Sequence, residues 1–212
     1  MWGSQVQILS RAFKITKMKV SKDREKFVLG ILVVFIVTSS ALLIILLIPS
    51  IDKGISNFLI SKQTPFGIKF MGVVSALGSR EIIFIIILVM IIALYNTNKR
   101  FYLFFIISTL SGLAFELIIK VAFNRVRPLN PFVMGFSFPS GHTFMTFLVV
   151  ISFSYIIWPK YKKTSLYIFL IPLVIAFTRI YLNVHWLSDV IGSIAMASAW
   201  FLVVIKVLKK TD

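Results

Sequence analysis

A chain of 212 residues that is 58% hydrophobic, with a mean hydropathy of +0.96, lies far outside the range of soluble domains and reads as an all-α, polytopic membrane protein. Its formal charge of +16 is broken up by apolar runs and carries no nucleic-acid-binding motif, so the partner it implies is the phospholipid bilayer and not nucleic acid. With no cysteine, disulfides and thiolate chemistry are excluded, and two histidines with seven carboxylates leave little from which to build a metal centre.

Residues 1–26 carry Arg11, Lys14, Lys17, Lys19, Lys22, Arg24 and Lys26 against Asp23 and Glu25, the pattern of a basic cytoplasmic tail. Phe27 to Pro49 is uncharged and long enough to cross a bilayer, giving the first span. From Ser50 to Thr64, Ile51, Ile55, Phe58, Leu59 and Ile60 interleave with Lys53, Ser56, Asn57 and Lys62, which suits either a short interfacial helix or an ordinary loop. Asp52 has no part in that pattern.

Pro65 and Gly67 punctuate the chain before a second span over Ile82 to Tyr95, entering as early as Phe70, and Asn96 to Arg100 forms a polar turn. The third span is expected over Phe101 to Ile119, with Glu116 one turn before Lys120 and facing protein or a neighbouring cation. A loop from Lys120 to Gly141 leads to the fourth span, His142 to Ile157, and Trp158 to Thr164 makes an aromatic and lysine-rich turn. Ser165 to Phe177 and Trp186 to Val207 are the fifth and sixth spans. Gly192, Ser193, Ala195, Ala197, Ser198 and Ala199 give the sixth a close-packing surface. Six spans put both termini on one side, and most Lys and Arg residues fall there. Residues 27–210 thus form one six-span domain in the cell membrane, with cytoplasmic termini and the polar islands on the outer face.

Three such islands stand out: Lys120 to Pro128, Pro139-Ser140-Gly141-His142, and Thr178 to Asp189. His185 and Asp189 are four residues apart, so on a helix they share a face and the carboxylate can reach one imidazole nitrogen. That contact fixes the tautomer and leaves the other nitrogen bare, as a nucleophile or base. Arg179, across a short turn, supplies a charge suited to an anion, which points to attack on a phosphate. Lys120 and Arg127 standing alone would be cations snorkelling at span ends; with Arg179 they form a set that can neutralise a phosphoryl group. Ser140 and Gly141 open a span, where backbone N–H groups point at a bound anion and glycine permits close approach.

Together the islands resemble the signature of the type 2 phosphatidic acid phosphatase superfamily: Lys-x6-Arg-Pro at Lys120 and Arg127-Pro128, Pro-Ser-Gly-His at Pro139 to His142, and Ser-Arg-x5-His-x3-Asp at Thr178 to Asp189, where Thr178 replaces the usual Ser. The resemblance implies a metal-independent and cofactor-free lipid phosphatase. In it His185 attacks phosphorus and forms a phosphohistidine, Asp189 orients it, and His142 protonates the leaving alcohol and later helps to activate water. Lys120, Arg127, Ser140, Gly141 and Arg179 bind the phosphate. One histidine starts neutral and the other protonated, so a bell-shaped pH dependence is expected. Size and layout resemble the bacterial type B phosphatidylglycerophosphatases, which implies phosphatidylglycerol phosphate, phosphatidic acid or undecaprenyl pyrophosphate as substrates. The alternative is a non-hydrolytic binder or transporter of a phosphate-bearing lipid, which needs the cations but not His185. Arg125, inside the first motif at a position of unspecified type, is left outside the site.

Overall fold

The computed structural model describes residues 22–96, 98–128 and 135–210, and all regular secondary structure among them is helical. Most of the expected basic tail, residues 1–21, lies outside the described residues. Its last five residues are helical instead: α1 runs Lys22–Leu47, and Arg24 packs over the Phe101 ring at 4.3 Å while donating to the Tyr155 and Ile156 carbonyls. The polar segment that follows is a helix, α2 (Ser50–Ser61), with Asp52 and Ser56 buried on one face and Ile55 and Phe58 exposed on the other.

The second span comes in two pieces, α3 (Pro65–Ala76) and α4 (Arg80–Tyr95). Thr64 caps the first by accepting from Gly67 N–H at 3.0 Å, and Ser79 caps the second from Ile82 N–H at 3.4 Å. α5 (Lys99–Phe123) continues through Lys120, where the sequence suggested a loop, and stops at Asn124, whose φ of 42° is left-handed. α6 (Gly141–Ile157) is followed by α7 (Lys162–Tyr167) and α8 (Leu170–Tyr181), which divide the fifth span. The break has a covalent cause: Pro172 has no N–H to return to the Ile168 carbonyl, so the helix restarts just before it. α9 (Leu187–Lys210) completes the chain.

Among the described residues five segments are long and apolar enough to cross a membrane: Lys22–Leu47, Pro65–Tyr95, Lys99–Phe123, Lys162–Tyr181 and Leu187–Leu208. The shorter apolar helix among the described residues, α6, has only 17 residues, and most of its side chains are buried because other helices pack around it. Phe144, Leu148, Ile151 and Tyr155 form its fully buried stripe at helical spacing. Tyr155 meets Phe104 of α5 at 5.2 Å and Phe201 of α9 at 5.6 Å between ring centroids. Small residues let the backbones close on one another: Ser108 and Ser152 bond across α5 and α6 at 2.8 Å, and a side chain at Gly112 would collide with Leu148. A bundle packed around the buried α6 positions the ends of α5, α6, α8 and α9, which carry the three polar islands.

Candidate active site

Lys120 lies in the last turn of α5. Its ammonium donates to the Pro139 carbonyl at 2.7 Å and pairs with Glu116 Oε1 at 3.1 Å, so the first island is tied directly to the second. Glu116 is completely buried, and its other oxygen lies 3.7 Å from Arg80 Nη2. Gly141 packs on the same carboxylate, since a Cβ there would sit 3.0 Å from Glu116 Oε1. Ser140 precedes α6 without capping it. Its N–H donates to Ser193 Oγ at 2.8 Å, and its hydroxyl accepts from Thr143 at 3.1 Å. The small-residue surface of α9 therefore also anchors the start of α6.

His142 is the second residue of α6, with its ring against Gly78 in the α3–α4 connection, where a Cβ would come 3.3 Å from Cδ2. The charges whose fields reach that ring belong to Arg179, His185, Arg80 and Lys120. Arg179, in the last turn of α8, donates to Ser75 of α3, while its buried Nε has no hydrogen-bond partner among the described residues. Thr178 turns its hydroxyl back to the Ile175 carbonyl and is fully buried, which explains why Thr serves where the motif has Ser.

The turn from Leu182 to Trp186 presents His185. Asn183 adopts a left-handed φ of 53°, and the Arg179 carbonyl accepts from the N–H groups of Val184 and His185 at 3.2 and 3.3 Å. His185 lies ahead of α9 and shares no helical face with Asp189, which corrects the sequence argument. Asp189, in the first turn, instead folds back to accept the Trp186 N–H at 2.8 Å, the acidic half of a capping box. This brings Asp189 Oδ2 to 3.6 Å from His185 Nδ1, beyond hydrogen-bond distance.

Arg127 donates from Nε to the Gly135 carbonyl at 3.0 Å and from Nη1 to the Val184 carbonyl at 2.7 Å; Nη1 also lies 3.1 Å from His185 Nε2. A guanidinium has no acceptor, so Nε2 must offer its lone pair and the proton resides on Nδ1, toward Asp189. Burial holds the His185 pKa down at about 4, with Asp189 opposing and Arg127 and Arg179 assisting, so the ring is neutral near neutrality. Among the described residues no three His, Asp or Glu side chains gather into a metal-holding group.

Sequence reasoning missed two members of this network. Arg125, left outside the site, donates from Nη1 to Asp189 Oδ1 at 2.7 Å and from Nη2 to Asp52 Oδ2 at 2.9 Å. Asp52 comes from α2, whose four-residue step to Ser56 was the available signal of a polar inner face.

The sequence model of the PAP2 superfamily matches residues 101–212, from the start of α5 through all three islands. The chain belongs to the PAP2 superfamily. Membership and the apolar helices together make it a multi-pass membrane enzyme of the phosphoric monoester hydrolase class. The same fold occurs in the solved transmembrane PAP2-type phosphatidylglycerolphosphate phosphatase from Bacillus subtilis, 23% identical, with a TM-score of 0.68 over 86% of this chain and 96% of that one. LpxE from Aquifex aeolicus, 22% identical, aligns with a TM-score of 0.59 over 71% of this chain and 92% of its own. No curated protein sequence matches.

Proposed function

We propose that this superfamily member releases phosphate from a membrane lipid phosphomonoester or pyrophosphate by way of a phosphohistidine on His185. The observation that carries this reading is the His185 Nε2 lone pair facing the Arg127 guanidinium at 3.1 Å, within reach of the fields of Arg179 and His142. Arg127 caps that lone pair without substrate. An entering phosphoryl oxygen offers the same donor a stronger, charged acceptor and frees Nε2 to attack. Arg179 Nε, buried without a partner among the described residues, gains an acceptor from the same group. Lys120 has three donors, of which the Pro139 carbonyl takes one, while Glu116 pairs with its charge. Ser140 and Gly141 start α6, whose first-turn N–H groups lack intrahelical acceptors and favour an anion.

In the first step Nε2 bonds to phosphorus, the bond from phosphorus to the lipid oxygen breaks, and His142 gives its proton to that oxygen. Asp189 meanwhile steadies the Nδ1–H and the imidazolium charge. Water then attacks phosphorus, the N–P bond breaks back onto Nε2, and His142 recovers the proton as inorganic phosphate departs. Lys120, Arg127 and Arg179 balance the transition-state charge without calling on a metal ion.

The lipid nature of the alcohol is supported by a cleft of about 410 Å³ between α4, α6 and α8, lined by Leu77, Ile82, Ile86, Val149, Phe153 and Ile175. Thr146 is its polar residue, one turn below His142, so a hydrocarbon tail there would leave its head group at the histidines. Phosphatidylglycerol phosphate, phosphatidic acid and undecaprenyl pyrophosphate all fit that description. Likeness to the B. subtilis phosphatidylglycerolphosphate phosphatase, which extends over nearly the whole of that enzyme, favours the first. The charge distribution favours cytoplasmic termini, with residues 1–26 on that side, the domain of residues 27–210 in the membrane and the site on the outer face.

The direct test is trapping. With phosphorus-labelled phosphatidic acid and an alkaline quench, which preserves a bond that acid cleaves, label should appear on the protein and vanish on acidification; no label within the first turnover excludes the covalent route. A second expectation concerns pH. Because the folded His185 pKa is about 4 and its ordinary value is 6.5, the neutral, attacking form persists until pH falls through about 4, and the acid limb of kcat/KM should contain a component there. The sign for stability follows from the same lowering. Between about 4 and 6.5 the unfolded chain binds a proton that the folded one refuses, so the contribution of His185 is complete above 6.5 and lost as pH falls. Profiles of turnover and Tm against pH check both.

A further inference from the structure

The buried carboxylate that closes the polar network behind His185 comes from a helix outside the family match. Asp52 of α2 is 6% exposed, and the matched region begins at residue 101. Its Oδ1 accepts the Ser188 N–H at 2.9 Å; its Oδ2 accepts from Arg125 Nη2 at 2.9 Å and from the Ser188 hydroxyl. Arg125 Nη1 reaches Ser188 Oγ and Asp189 Oδ1, both at 2.7 Å. Asp189 Oδ2 is left to Ser137, the Trp186 N–H and His185. One turn further along α2, Ser56 donates to Asn183 Oδ1 at 2.6 Å. A single face of α2 thus grips both ends of the turn that presents His185, at Asn183 and at Ser188.

We propose that Asp52 and Arg125 are positioning residues for phosphoryl transfer, Arg125 fixing the Asp189 carboxylate and Asp52 cancelling the charge that Arg125 brings. Arg125 alone would offset the negative charge of Asp189, the one that steadies a developing imidazolium. With Asp52 on its other side, the Asp52, Arg125 and Asp189 triplet keeps a net charge of −1 beside His185 while Asp189 remains clamped. This rests on the reading that His185 attacks phosphorus. The other charged or titratable groups facing His185 are Arg127 from the loop after α5, Arg179 from α8 and His142 from α6, and none of these touches Asp52.

The charge arithmetic makes opposite predictions for the two residues. Full-length chain in phosphatidylcholine nanodiscs is assayed for phosphate release from dioleoyl phosphatidic acid across pH, with Tm as the folding control and His185→Ala as the reference. Asp52→Asn and Arg125→Met should each lower kcat about 10- to 100-fold, the scale of a small displacement of a reacting group, with KM changed less than about threefold. The acid limb of kcat/KM should move to lower pH in Asp52→Asn, where a negative charge is lost near His185, and to higher pH in Arg125→Met, where a positive one is lost. The double variant restores the net charge, so its limb should return to the wild-type position while kcat stays reduced, because Asp189 is no longer clamped. Substrate titration is common to all variants and cancels. Limbs that move in the same direction, or do not move, overturn the proposal, as does kcat within twofold of wild type in either single variant. If a single variant does not fold, the double decides: wild-type kcat or a displaced limb there is equally fatal. Wild-type turnover by His185→Ala would instead sink the reading beneath.

Discussion

Phosphate release by His185→Ala is expected to fall by at least about 10⁴-fold, on the scale seen when a covalent nucleophile is removed. Structure limits the collateral damage. The ring holds no hydrogen bond at Nδ1 among the described residues, Arg127 keeps the Val184 and Gly135 carbonyls, and the Arg179 carbonyl still receives the backbone N–H at position 185. The turn should therefore persist, and Tm should show it. His185→Gln, which fills more of the space but cannot form the phosphohistidine, should be equally inactive. Binding of a phosphate analogue such as vanadate is the discriminating control. A lipid binder or transporter would lose little of its function in either variant, because the cations remain. An enzyme working through His185 should lose turnover and the trapped label together while retaining analogue binding within about tenfold, since Lys120, Arg127 and Arg179 supply most of the attraction. Turnover within tenfold of wild type would show that phosphorus is attacked by another group.

How much of this was legible beforehand depended on whether a contact was local in the chain. Apolar runs disclosed the spans because lipid imposes length and composition, and the three islands stood out because ionisable residues are rare between such runs. The structure brings Lys120 to Pro139 at 2.7 Å, Arg127 to His185 at 3.1 Å and Asp189 to 3.6 Å from His185; of these, spacing pointed only to the last. The manner of the last contact was not legible: a capping turn replaces the helical face, because α9 begins only at Leu187. Breaks within spans also escaped, although Pro172 marked one. Asp52 and Arg125 escaped for a different reason. Their contacts span 73 and 136 residues of sequence, so the step from Asp52 to Ser56 could mark an inner face of α2 but not Arg125 or Ser188 as what that face meets. Glu116 sat between these cases. Its four-residue step to Lys120 was visible, whereas its packing under Gly141 required coordinates.

Replacing Arg127 with alanine should reduce kcat/KM by about 10³-fold, and replacement with lysine should recover less than about a tenth of that loss in logarithmic terms. Two duties converge on this guanidinium. It holds the carbonyls of Gly135 and Val184 from separate nitrogens, which fixes the loop before α6 and the turn before His185, and it meets the His185 lone pair. An ammonium delivers charge from one point and cannot span those acceptors. Lysine should therefore restore part of the attraction for phosphate, seen as a lower KM than alanine gives, while kcat stays depressed because Val184 and His185 are no longer held in register. Removing Arg127 also withdraws a positive charge that holds the His185 pKa down, so the component of the acid limb near 4 should move toward the ordinary imidazole range in the alanine variant and less so in the lysine variant. Wild-type kcat in Arg127→Lys would reduce the residue to a point charge. An unmoved acid limb in Arg127→Ala would separate it from His185 altogether, against the 3.1 Å contact on which the proposed attack depends.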